Sequence, residues 1–116
     1  MYVKHISDVP YEKVTINGAK NTYIQWLITK EKAGAKNFAM RRFIIKPGGL
    51  IPKHSHDWEH EIFILEGEGI IGAGDKEVKV REGTFLYIPP NVPHWYRNDG
   101  DTDFVFLCLI PYKEEK

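Results

Sequence analysis

Ten glycines and seven prolines are spread along the whole chain and cut it into short pieces. The pieces between them are rich in β-branched and aromatic residues. Residues 23–28, 38–45, 62–65, 78–80, 85–88 and 104–110 read as strands. Residues 76–81 alternate polar and apolar side chains, as a half-buried strand does. Turn signals lie between the pieces: Asn17-Gly18, Gly34, Pro47-Gly48-Gly49, residues 72–75, Glu82-Gly83, Pro89-Pro90-Asn91 and residues 98–101. Only residues 29–37 have a helix-friendly composition. They are few and polar, so a turn or a single helical turn is expected there. Short strands with frequent turns imply an all-β sandwich or barrel.

No linker, repeat or low-complexity tract divides the 116 residues, so one domain spanning 1–116 is expected. Sixteen Lys and Arg balance sixteen Asp and Glu. That balance argues against a nucleic-acid partner, which needs a basic excess to collect phosphates. No basic amphipathic run suggests a membrane surface. The longest apolar run, residues 104–110, is far below the ~20 residues of a membrane span. Residues 1–10 lack the apolar core of a signal peptide. The single cysteine, Cys108, excludes an internal disulfide. A cytoplasmic protein is the resulting expectation.

Residues 67–72, GEGIIG, match the G-x-G-x-x-G pattern of dinucleotide sites. That pattern needs a helix N-terminus behind it to receive the pyrophosphate. Here a turn and an alternating strand follow, so a glycine-rich hairpin is expected instead.

Of five histidines, His54, His56 and His60 fall within seven residues. On a strand, His54 and His56 point to one face with backbones about 6.6 Å apart, close enough to share a metal ion. His60 follows the tight Asp57-Trp58-Glu59 connection and opens the next strand beside them. His94 arrives after the rigid 89–93 turn, whose prolines direct its strand. His5 lies near the terminus and is set apart from this group.

These spacings resemble those of the cupins. The first cupin motif is matched by Gly48, His54-x-His56, position 60 and Gly67, covering 48–67. The second is matched by Gly83, Pro89, Asn91, His94 and Asn98, covering 83–98, with Asn91 in place of the usual glycine. The glutamate ligand of the first motif is replaced by His60. Glu61 is the competing candidate, but His60 alone keeps the six-residue spacing to Gly67, and strand alternation forbids both from facing inward. The spacing therefore favours His54, His56, His60 and His94 as metal ligands. The stretches HSHDWEHEIF, RNDG and FLCLIP are similar to the small manganese cupins of thermophilic prokaryotes.

The resemblance implies a double-stranded β-helix, the jelly-roll barrel, and a homodimer. It also implies one divalent transition metal per chain, manganese first and iron second, although imidazole ligands suit zinc, nickel and copper too. Four neutral imidazoles around an octahedral metal leave open positions, the mark of a catalytic rather than a structural site. Both faces of residues 104–110 are apolar, so periodicity does not say which lines the cavity. The resemblance places Phe106 and Cys108 inside, near the metal; a role for Cys108 as a small buried hydrophobe is equally open. Trp58 and Trp95 either guard the mouth or pack the barrel ends. The expected function is that of a metal-dependent oxidoreductase of dioxygenase type acting on a small organic substrate. A Lewis-acid isomerase, epimerase or lyase and a non-enzymatic small-molecule-binding module are the alternatives.

Overall fold

The structure, a computed structural model, describes residues 1–112. Nine antiparallel strands account for most of them, as the turn-punctuated sequence requires: β1 (Glu12–Lys13), β2 (Lys20–Ile28), β3 (Phe38–His54), β4 (His60–Glu66), β5 (Glu68–Ala73), β6 (Lys76–Arg81), β7 (Phe85–Ile88), β8 (His94–Arg97) and β9 (Phe104–Pro111). A 3-10 turn at Ile6–Asp8 and one helical turn, α1 (Lys30–Ala33), are the only helical elements among the described residues. Thr29 caps α1 and Gly34 ends it in the left-handed conformation, which matches the short turn expected for 29–37.

The strands pair in the order β6-β5-β8-β3-β9-β4-β7, with β2 also on β3 and β1 on β2. The sheet curls around its core as a jelly roll. Strand β3 belongs to both of its halves. Its first part, from Phe38 to Ile45, pairs with β9 and β2, while Leu50, Ile51 and His54 pair with β8. The Pro47-Gly48-Gly49 signal is therefore not a turn between strands, as the sequence suggests, but a corner inside one strand. Gly48 takes φ 78°, which residues with a Cβ disfavour. Its N–H donates to the Asn98 carbonyl at 3.0 Å, and the Asn98 N–H donates to the Gly49 carbonyl at 3.0 Å. Pairing thus resumes on the new neighbour at once.

Ile45, Ile51, Ile64, Ile71, Phe104 and Phe106 form the centre of the core. The G-x-G-x-x-G segment is strand β5 of a hairpin, as its context requires. A Cβ on Gly69 would lie 2.3 Å from the Phe104 ring, so that glycine exists for packing, not for phosphate. The alternation of β4 turns His60, Ile62 and Ile64 inward and Glu61, Phe63 and Leu65 outward. No helix among the described residues is long and apolar enough to cross a membrane.

Candidate metal centre

Three strands, β3, β4 and β8, and the connection between the first two bring the histidines together across a wide sequence gap. His54 ends β3 and is the direct cross-strand partner of His94 at the start of β8. The turn before β8 is tied down by the Asn91 N–H, which donates to the His56 carbonyl at 2.7 Å. Asn91 sits at φ 66°, a conformation that asparagine tolerates better than other side-chain-bearing residues, which explains its use where cupins carry glycine. His60 opens β4 opposite Ile88.

The ligand nitrogens of His54, His56 and His94 lie within 4.8 Å of one another, close to the ~4 Å span of two nitrogens on opposite sides of one ion. His60 stands outside this tight trio but against it. Its ring centroid is 4.6 Å from that of His94 and 5.4 Å from that of His56. His5 caps the 3-10 turn, bonded to Ser7, well apart from the group.

The tautomers are preset. His54 Nδ1 donates to the Pro52 carbonyl at 2.8 Å and His94 Nδ1 to the Val92 carbonyl at 2.9 Å. A carbonyl only accepts, so each ring keeps its lone pair on Nε2, the form that a metal needs. Burial first, and then the neighbouring imidazoles and Arg41, push His56 down to about 4 and His60 to about 3; burial also lowers His94. All three are neutral at pH 7. His94 Nε2 and His60 Nδ1 are buried with no hydrogen-bond partner. Such nitrogens are costly when left alone, and a cation fits them. No aspartate or glutamate is among the described buried residues, and Glu61 is exposed on the outer face.

The surrounding side chains divide sharply. Trp58 stacks on His56, with centroids 4.3 Å apart and planes 7° from parallel, so it belongs to the site. Trp95 does not; it lies on the other side of its strand, donating to Glu77 and receiving the Lys53 ammonium over its ring. Phe106 is fully buried in the core, stacked between Tyr96 and Phe43. It approaches the histidines through Tyr96, whose ring centroid is 5.8 Å from His94 and 6.4 Å from His54. Burial raises the Tyr96 phenol well above its ordinary value and also raises the Cys108 thiol. Cys108 accepts a hydrogen bond from Arg41 Nη2 at 3.0 Å.

Arg41 is the residue that sequence reading missed. Residues 39, 41, 43 and 45 share one strand face, and three of them are apolar. An arginine on an otherwise core-facing row was the available signal.

A family model described as "Cupin domain" matches residues 41–110, more than half of the chain. The oxalate-binding protein of Thermotoga maritima is 33% identical over 72% of this chain and 70% of its own length. Among solved structures, the polyketide cyclase RemF of Streptomyces resistomycificus superposes with a TM-score of 0.92 at 33% identity, covering all of this chain and 82% of that one. A predicted oxalate decarboxylase from Thermotoga maritima gives 0.84 at 29% identity, covering 97% of this chain and 100% of that one. Motif spacing, jelly-roll topology, a histidine cluster at the junction of β3 and β8, and these matches converge: the chain belongs to the cupin family.

Proposed function

We propose that the chain is a metal-dependent cupin enzyme, an oxidoreductase of dioxygenase type acting on a small organic substrate. His54, His56, His60 and His94 would hold one divalent transition metal, manganese or iron in preference to zinc, nickel or copper. The observation that carries the reading is the pair of buried, partnerless nitrogens on His60 and His94 beside rings whose tautomers are already set. Bound there, such a metal supplies Lewis acidity and a one-electron couple able to engage dioxygen.

The chain's own residues do the rest. Pro52 and Val92 carbonyls orient two rings, and Trp58 covers His56 from one side. Tyr96, Phe106 and Cys108 keep water from the inner wall. With its raised pKa, Tyr96 keeps its proton, and no buried carboxylate is available as a base. That set is poor for proton transfer, which favours redox chemistry. The likeness to a polyketide cyclase supports a second reading, Lewis-acid catalysis without oxygen. Oxygen consumption separates the two. Uptake of dioxygen coupled to turnover of a small organic substrate is expected, and turnover unchanged under argon would establish the Lewis-acid reading.

We also propose a homodimer in a cytoplasmic setting, with the 1–116 chain acting as one domain. The outer faces of β4, β7 and β9 carry Phe63 paired with Phe85 and Leu107, and next to them Tyr87 and Leu109 on either side of Glu61. Phe85 is 78% exposed and Tyr87 52% exposed. Monomers rarely present so apolar a surface to water, and a second copy would cover it.

A further inference from the structure

Three of the four clustered histidines owe their setting to the strands. His54 ends β3, His94 begins β8 and His60 begins β4, and backbone carbonyls aim the first two. His56 lies beyond the end of β3, in the connection to β4, and stays partly exposed. That connection is pinned at both ends. The Asn91 N–H donates to the His56 carbonyl at 2.7 Å, and the Tyr87 hydroxyl donates to the Glu59 carboxylate at 2.6 Å. A fixed backbone still leaves the imidazole free to turn, because rotation about the bond to an sp² ring is broad.

Trp58 removes that freedom. Its ring centroid lies 4.3 Å from that of His56, with the planes 7° from parallel. The rings of His54, His60 and His94 are inclined to His56 by 69°, 36° and 57°. Among the described residues, Trp58 alone lies flat on it. The indole N–H is buried with no partner, so no hydrogen bond accounts for where this ring sits. Burying a donor unpaired is costly, and the ring contact is what holds the indole there. An indole face also attracts positive charge, so it favours an imidazole that ligates a cation over a free one. A phenyl ring offers the same contact more weakly, and an aliphatic side chain offers only bulk.

We propose that Trp58 is a positioning residue of the metal centre: it sets the plane of the His56 ring and strengthens that ring's hold on a divalent cation. The proposal rests on the metal-site reading and adds to it a residue that acts through His56 rather than on the ion. It also accounts for an indole in this place, where a smaller apolar side chain would fill space without burying an unpaired N–H.

The test is a double-mutant cycle read by competition titration with manganese(II) and with zinc(II). It takes wild type, Trp58→Phe, Trp58→Leu, His56→Ala and the His56→Ala, Trp58→Leu double variant, with melting of each metal-stripped protein to show that it folds. Trp58→Leu should lose about 10-fold or more in affinity for both ions, the scale of outer-shell changes at metal sites, and Trp58→Phe should fall between it and wild type. In the His56→Ala background, Trp58→Leu should change affinity by less than about 2-fold, since nothing is left for the indole to position. NMR of the stripped wild type should also show His56 ring protons shifted upfield by the indole, and the shift should vanish in Trp58→Leu. Equal affinities in wild type and Trp58→Leu would overturn the proposal, as would the same loss with and without His56, which is what packing alone would give. His56 ring protons at ordinary shifts in wild type would overturn it too, even if His56→Ala binds neither ion. Should Trp58→Leu not fold, undiminished affinity in Trp58→Phe would overturn it. Wild type that binds neither ion would overturn the metal site and this role together; the other adverse results overturn the role of Trp58 and leave the metal site standing.

Discussion

An imidazole has two nitrogens, and in this cluster the protein uses one of them to aim the other. His54 and His94 spend Nδ1 on backbone carbonyls, while His60 and His94 each retain a buried nitrogen that nothing in the described chain satisfies. His60 lies in the position of the motif's glutamate, and the strand turns it inward while Glu61 faces out. His60→Gln should therefore weaken metal affinity by at least 10-fold, on the order seen even for outer-shell changes at metal sites, while Glu61→Gln leaves it unchanged. Metal competition titrations of the two variants check this, and the reverse ranking would mean that the register of β4 is misassigned. Cys108 lends itself to a similar comparison. Its thiol is buried and raised, so peroxide alone should barely touch it, and oxidation seen by mass spectrometry should need the loaded metal. The histidines stood out from their spacing, because metal ligation demands particular residue types at particular intervals, whereas Cys108 was placed only by the resemblance. Arg41 stayed hidden, since a lone arginine in a strand ordinarily marks the solvent face. Its inward setting shows only in the fold, where Trp26 on β2 and Phe43 two residues along β3 clamp it and Cys108 on β9 accepts its hydrogen bond.

At the scale of elements, most strands were evident from their β-branched and aromatic runs, and α1 from its short polar composition. The corner in β3 was hidden, because a strand that passes from one half of the sheet to the other uses the same Pro-Gly-Gly chemistry as a turn between strands. What distinguishes them is Asn98, far away in the chain. Its side-chain amide donates to the Ile45 carbonyl at 2.8 Å and the Thr102 carbonyl at 2.7 Å, and its oxygen accepts from the Gly100 N–H at 2.9 Å. The asparagine that ends the second motif is thus a clasp for the corner that leads into His54. Asn98→Ala strips partners from buried carbonyls and should lower stability by about 1–3 kcal/mol in urea denaturation. Metal affinity should fall with it, because the path from Gly48 to His54 loses its anchor. Undiminished stability would show that the corner is held by its backbone hydrogen bonds alone.

Over the whole molecule, the histidine cluster ties stability to pH. Above the ordinary value of 6.5, His56 and His60 are neutral in folded and unfolded chains alike and add no pH dependence. Below it, the unfolded chain binds protons that the folded chain refuses until about 4 and about 3. Metal-stripped protein should therefore lose stability as pH falls through that window, by up to about 1.4 kcal/mol per pH unit for the buried His60 and by less for His56, which water partly screens. Denaturant melts between pH 7 and 4 would read this, and a flat profile would show that the rings are not buried as a neutral set. Assembly has its own test: light scattering should report a dimer that Phe85→Glu converts to monomer, and a monomeric wild type would refute the proposed interface. The most direct test of the metal site is elemental analysis of wild type, His54→Ala and His94→Ala after exhaustive dialysis. About one equivalent of a divalent transition metal, manganese or iron, is expected in wild type and well under a tenth of that in each variant, with a lower melting temperature to match the lost ligand energy. Full metal occupancy and unchanged melting in both variants would contradict it.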